Sequence, residues 1–422
     1  MKPKLLTTME SYSWRLFAGD AVAGTTVAMV ALPLSIAIAI ASGADPKAGL
    51  ITAIIGGLLI SLLGGSRVQI GGPTGAFIVV VYGVIDQFGM DGLFLATLMA
   101  GLILLAGGLV RAGRFIALVP EAVIEGFTVG IALIIAVSQL KDLLGLSAGV
   151  PANLVEALPA LWTARASVHP TALTVGIFSI AGIAMTRRVA PWFPGSLLIV
   201  AGASAAVAVF GLPVDTIQSR FGALPAGLPA PSLPHISIAR ISELLPSAFV
   251  IAFLAGVESL LSAIVADRMI GSRHRTSAEL LAQGAANIAS PLFGGLPATG
   301  AIARTATNVR AGARTPVAGI VHALLILVIG LGAGRLAGYM PMPALAALLI
   351  VTAWIMSEPG RWGERIRLRR GDRALLFLTM ILTVVTDLTI AIAVGTVGGL
   401  ALRLVRREVE PADWTPSDRS KL

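Results

Sequence analysis

Residues 20–42 run for 23 positions with a single charged side chain, Asp20, and apolar stretches of this kind recur as far as residue 404. Water could not cover so much apolar surface: 56% of the 422 residues are hydrophobic and only 13% are charged, where a soluble domain is roughly 25% charged. Mean hydropathy is +0.89. The chain is an integral membrane protein.

A membrane helix needs about 20 apolar residues, and shorter segments persist at membrane depth only where other protein surrounds them. Full-length candidates lie near 20–42, 92–110, 120–140, 193–212, 244–266 and 315–334. Shorter ones lie near 48–64, 72–87, 170–186, 277–291, 299–309, 342–357, 373–386 and 388–404. Together they predict an all-α fold of fourteen transmembrane segments. The basic residues test that number, because Lys and Arg concentrate in cytoplasmic loops. With a cytoplasmic N-terminus, 24 of the 31 Lys and Arg fall inside and six outside, and Arg304 lies in the membrane. Both termini are then cytoplasmic, with residues 1–19 an N-terminal interfacial segment and 405–422 a tail. Met9 to Phe17, with Glu10, Trp14 and Arg15, is amphipathic without a cleavage site, so a short interfacial helix is expected there.

The net charge of +9 is by this reading an orientation signal and not a nucleic-acid surface. The Arg361 to Arg373 cluster reads as an ordinary cytoplasmic loop, with contact to anionic lipid as the alternative. There is no cysteine, and His169, His235, His274 and His322 show no ligand spacing, so no metal, disulfide or cofactor is expected.

Residues 213–243 are rich in Gly and Pro and divide the segments into halves, 20–212 and 244–404, of seven each. An odd number per half makes the second half enter the membrane inverted, the arrangement of many secondary transporters. Thr74-Gly75-Ala76 and Thr299-Gly300-Ala301 repeat one tripeptide at the start of the third segment of each half. A span that starts at mid-membrane presents unpaired N–H groups and the positive end of its helix dipole, and two such ends facing each other suit an anion. Thr74 and Thr299 are expected to cap these half-helices, and Val68 to Ile70 and Phe293 to Leu296 to precede them as short paired strands. Close packing of glycine-rich helices is the other reading of the two stretches.

Arg304, one turn into the second half-helix, adds positive charge where an isolated one costs about 2.5–3.5 kcal/mol on insertion scales. It faces the ligand, pairs with Glu258, or does both. Glu258 and Ser262 share a face of the eighth segment. The carboxyl is a candidate proton carrier or cation ligand, or a structural partner of Arg304. Glu279, Gln283 and Asn287 form a polar stripe read as interhelical hydrogen bonding. Pro33, beside Leu34 and Ser35, either breaks the first span near the same cavity or merely kinks it.

Several stretches resemble the sulfate permease, or SulP, family of anion transporters, bacterial relatives of the animal solute carrier 26 proteins. They are residues 23–37 (AGTTVAMVALPLSIA), GGPTGA at 71–76, PEAVIEGFTVG at 120–130, ELLAQGAANIASPLFGGLPATGAIARTATN at 279–308 and TDLTIAIAVGTVGG at 386–399. The resemblance implies a uracil-permease-like fold of two inverted repeats. Segments 1–4 and 8–11 would form a core that moves like an elevator against a gate of segments 5–7 and 12–14, in a homodimer in the bacterial inner membrane. It implies a substrate site of Thr74, Gly75, Ala76, Thr299, Gly300, Ala301, Ile302, Ala303 and Arg304, with Glu258 and Ser262 as coupling groups and Pro33, Leu34 and Ser35 as contacts from segment 1. Ala303 stands where members often have serine, and Glu258 and Ser262 stand where sodium-coupled bicarbonate carriers have Asp and Thr. That favours proton over sodium coupling of a small anion such as sulfate, bicarbonate or fumarate, with an uncoupled channel or exchanger as the alternative and a nucleobase permease less favoured. Members usually continue into a cytoplasmic STAS domain, and this sequence ends about 18 residues past its last span.

Overall fold

The computed structural model describes residues 2–10, 12–113, 119–147, 154–190, 193–223, 227–386 and 388–406. Most of the expected tail therefore lies outside the described residues. The first half contains α1 (Lys4–Met9), α2 (Trp14–Ala41), α3 (Pro46–Leu63, with a π-helical turn at Thr52–Gly56), β1 (Gly71–Gly72) and α4 (Ile78–Leu109). It continues through α5 (Glu121–Ser138), α6 (Leu140–Leu144), α7 (Leu154–Ala164), α8 (Pro170–Val189) and α9 (Gly195–Phe210). After the short α10 (Ile217–Phe221) come α11 (Ile238–Ile270), α12 (Thr276–Leu292), β2 (Thr299–Gly300), α13 (Ile302–Arg310) and α14 (Val317–Ala337). The chain closes with α15 (Met342–Met356), α16 (Trp362–Arg367), α17 (Arg370–Val385) and α18 (Leu388–Arg406).

Every expected apolar segment meets a helix. Among the described residues, seven helical stretches are long and apolar enough to cross a membrane, and parts of α9, α14 and α18 are shorter apolar helices. The expected segments 72–87 and 92–110 are the two arms of α4, which reverses at Gly89, where φ is 69° and ψ −178°. Helix ends follow local chemistry. Ser13 accepts from the Leu16 N–H to start α2, Asp45 caps α3 ahead of Pro46, and the left-handed Gly211 and Gly271 end α9 and α11.

Two sequence expectations shift. The N-terminal helix is Lys4–Met9, and Trp14 to Phe17 form the first turn of α2 rather than a separate interfacial helix. The cause is Ser13, whose hydroxyl caps a helix that then runs straight on. α2 is also helical through Pro33, so the span is not broken there. Tyr12 donates to Asp20, and burial with the Asp20 charge pushes its phenol up to about 12. Asp20 is fully buried and accepts from the Arg314 and Thr315 N–H groups, at 2.8 and 3.1 Å, and from the Thr315 hydroxyl. One carboxylate in the first half thus anchors the start of α14 in the second.

Packing falls into two groups. α4 lies against α11 and α12, α2 against α13 and α14, and α3 against α12 and α14. Separately, α5 packs on α17 and α15, α8 on α15 and α9, and α17 on α18. α2 bridges the groups through α9 and α15, and α11 does so through α18.

Candidate functional site

Both Thr-Gly-Ala stretches come to one place. β1 pairs antiparallel with β2, with Gly71 opposite Gly300 and Gly72 opposite Thr299. The pairing extends by one bond, Ala301 N–H to the Ile70 carbonyl at 2.8 Å. It lies later in the chain than expected: residues 293–296 form a turn, with the Gly295 N–H on the Ser290 carbonyl. Backbone groups at this depth have no water to bond, and this short ladder supplies partners to two chain segments that are neither helix nor surface loop.

The two copies are not in register with their helices. In the first, Thr74 is the residue before a 3-10 turn, Gly75–Phe77, that leads into α4. In the second, Thr299 and Gly300 belong to the strand and Ala301 stands before α13. Neither threonine caps its helix. Thr74 donates to Glu258 Oε2 at 2.7 Å, and Thr299 to the Ala255 carbonyl at 2.9 Å. Both helix starts thus have no side-chain cap.

α11 holds both arms through one face. At spacings of three and four residues it presents the Ala255 carbonyl, Glu258, Ser259 and Ser262. Ser262 and Thr305 hydroxyls lie 3.0 Å apart, and the Thr305 oxygen accepts the Ile70 N–H at 3.0 Å. Glu258 therefore meets the first arm and Ser262 the second. Ser259 receives the Gln69 amide at 2.9 Å and the Gln283 amide at 2.7 Å, and donates to Glu279 Oε1 at 2.8 Å. Glu279 also accepts from the Gly65 N–H, and Asn287 bonds both the carbonyl and the N–H of Ala298. The stripe on α12 is interhelical hydrogen bonding at Glu279 and Gln283, as expected, whereas Asn287 holds the non-helical Ala298.

Two glycines are required by contact. A Cβ on Gly300 would overlap the Gln69 amide, and one on Gly72, where φ is +145°, would stand 2.6 Å from Arg304 Nη1. Arg304 is 3% exposed and reaches across to donate to the Pro73 carbonyl, while its Nη1 has no hydrogen-bond partner. No salt bridge joins Arg304 to Glu258 among the described contacts; the guanidinium bonds the Pro73 carbonyl. Thr74, Gly75 and Ala76 are buried, whereas Ile302 is 38% exposed, Ala303 is exposed and Glu258 partly so. Leu34 packs against Ile183, Leu348 and Val351 and also against the main core, which includes Ala76 and Phe77, and the backbone at buried Ser35 lies against Gly49 of α3. Gln69, Ser259 and Thr305 escape sequence reasoning, because each bonds a partner far away in the chain. Their only signal is a polar side chain inside apolar sequence.

A Sulfate permease family model matches residues 17–382. The chain is 42% identical to the putative sulfate transporter YvdB of Bacillus subtilis, over 92% of this chain and 73% of that one. It is 32% identical to the bicarbonate transporter BicA of Synechocystis, over 90% of this chain and 69% of that one. The solved transmembrane domain of a cyanobacterial BicA superposes with a TM-score of 0.80 at 31% identity, covering 92% of this chain and 98% of that one. These relatives are named as transporters and not as enzymes. The chain, with its two uncapped helix starts and the buried Arg304 between them, belongs to the sulfate permease family of membrane anion transporters.

Proposed function

We propose that the chain carries a small oxyanion, sulfate, bicarbonate or a dicarboxylate such as fumarate, across the bacterial inner membrane together with a proton, by alternating access. The observation that carries this reading is Arg304: a buried guanidinium with one nitrogen unpartnered, placed where two uncapped helix starts meet. A fixed cation with free donors beside two positive dipole ends is a poor place for a neutral nucleobase and a good one for an anion. Thr74, Gly75, Ala76 and residues 299–304 line the substrate. Glu258, hydrogen-bonded only to Thr74 among the described contacts, carries the proton, and Ser262 steadies the second arm. The relatives' names, sulfate and bicarbonate transporters, agree with a small oxyanion.

Fourteen spans in two inverted halves, with both termini cytoplasmic, accommodate every helix. The two packing groups supply the moving parts: α2–α4 with α11–α14 as core, and α5, α8, α9, α15, α17 and α18 as gate, in each subunit of a homodimer. A crevice of about 430 Å³ between Thr25, Thr26 and Met29 of α2 and Phe193 and Pro194 before α9 follows the seam between them. Uptake into proteoliposomes of labelled sulfate, bicarbonate and fumarate, with and without an imposed pH gradient, tests the proposal. Acid outside should accelerate uptake of one of them, and Glu258→Gln should reduce that acceleration. Uptake indifferent to pH identifies an uncoupled channel or exchanger instead.

A further inference from the structure

His322 has no role in the site as described, yet it borders it. The side chain is fully buried in α14, and neither ring nitrogen has a hydrogen-bond partner. An unpaired buried polar group costs about 1–3 kcal/mol, so a leucine would be the cheaper filling for this position. The imidazole lies beside the strands. A Cβ on Gly57 of α3 would stand 3.7 Å from His322 Nδ1 and 3.1 Å from the Gly71 carbonyl oxygen, leaving that space open next to the ring. One turn earlier, a Cβ on Gly319 would stand 3.5 Å from the Gln69 carbonyl oxygen. The Gly71 carbonyl and His322 thus border the same space and Gly72 meets Arg304, so an imidazole without a partner and a guanidinium with one free nitrogen border adjacent residues of β1.

The charged groups on the elements around α14 are few. α2 carries Arg15 and Asp20, the latter held at Arg314 and Thr315, and α3 carries Lys47 at its far end. α13 carries Arg304 and Arg310, and Glu258 of α11 is engaged by Thr74. The charge that acts on His322 is Arg304.

We propose that His322 is a second proton-binding group of the anion site, linking a proton to the anion held by Arg304. With the site empty, a proton on His322 would add a second buried cation beside the guanidinium, and in a low-dielectric interior that repulsion is strong. A bound anion offsets both charges. By reciprocity, a proton on His322 strengthens anion binding by the same factor. His322 is here a coupling residue and not a direct ligand. The inference rests on the proton-coupled reading above and adds a group to it.

The test is isothermal titration of sulfate, with fumarate in parallel, into the full chain in lipid nanodiscs between pH 5.5 and 7.5. Buffers of different ionisation enthalpy count the protons taken up per anion. Each coupled proton contributes up to about a tenfold change in affinity per pH unit. Glu258→Gln should retain part of the wild-type proton uptake, His322→Gln should retain less than wild type, and the double variant should take up none. A His322→Gln that takes up as many protons as wild type overturns this proposal while leaving the Glu258 reading intact. Equal uptake by wild type and Glu258→Gln, with a loss in His322→Gln, does the reverse, and no uptake by the wild type overturns both. His322→Asn provides a second neutral variant, and thermal midpoints report folding. Should both fail to fold, wild-type protein with ¹³C-labelled histidine carries the test: no ring changing protonation when sulfate is added overturns the proposal.

Discussion

The two Thr-Gly-Ala arms share a sequence and differ in everything that touches them. The first arm is buried, starts its helix through a 3-10 turn and turns its threonine to an acid, Glu258. The second is partly strand, leaves Ile302 and Ala303 exposed, and carries the arginine that reaches back to the first arm's Pro73. The repeated tripeptide thus marks where both helices are interrupted but not what each interruption does. α11 is fastened to both, by Glu258 to the first arm and by the Ala255 carbonyl and Ser262 to the second.

The largest expected break comes at the strand of the second arm. Gly300→Ala puts a methyl group where the Gln69 amide lies, so the amide must leave Ser259 or the strands must part. We expect a loss of about 2–3 kcal/mol, as for overpacked cores, read as a fall in thermal midpoint. If Gly300→Ala melts like wild type, the strand pairing is not what fixes the arms. Next comes Arg304→Ala, which deletes a charged donor. Anion affinity should fall about 30- to 100-fold, the equivalent of a charge-assisted hydrogen bond of about 2–3 kcal/mol. Arg304→Lys should restore only part of it, because a point charge lacks the second nitrogen that bonds Pro73. Equilibrium binding of the transported anion measures both, and unchanged affinity in Arg304→Ala would remove the second arm's claim to the anion.

Much of this was legible in the residues. Apolar length placed the helices, and Gly and Pro in the middle of apolar sequence placed the two interruptions. The polar stripe Glu279, Gln283 and Asn287 announced its hydrogen bonds by spacing alone. What stayed hidden depends on distant partners. Strand register could not be read, because Gly71 and Gly300 pair across 228 intervening positions and no local pattern selects that register over one shifted by three residues. The threonines looked like caps because Thr in front of a helix usually is one. Here α11 supplies a carboxylate and a carbonyl that compete for the hydroxyls and win. Pro33 left a break and a kink equally open, and α2 is helical through it.

The threonines provide a finer comparison. Thr74→Val removes the hydrogen bond to Glu258, and Thr299→Val removes one to a helix carbonyl, each worth about 1 kcal/mol. The consequences should separate. Thr299→Val should lower the thermal midpoint slightly and leave transport unaltered. Thr74→Val should lower the midpoint by a similar amount and, if Glu258 carries the proton as proposed, also reduce pH-driven uptake about fivefold. Equal effects of the two on pH-driven uptake would mean that the arms are not specialised.

The smallest expected effect is also the one that reaches beyond the site. A Cβ on Gly75 would stand 3.1 Å from Met356 Sδ and 3.4 Å from Ile135 Cδ1, the tips of flexible side chains on α15 and α5. Methionine adapts its shape readily, so Gly75→Ala should cost less than about 0.5 kcal/mol of stability and leave anion affinity unchanged, in contrast to Gly300→Ala. Met356 and Ile135 belong to the other packing group, however, so the added methyl sits on a surface that must slide if one group carries the site past the other. A turnover reduced about twofold at unchanged affinity and melting temperature is therefore expected. A change in affinity with turnover intact would instead make the first arm a direct ligand that stays fixed against α5 and α15, and the motion would have to be sought at another seam.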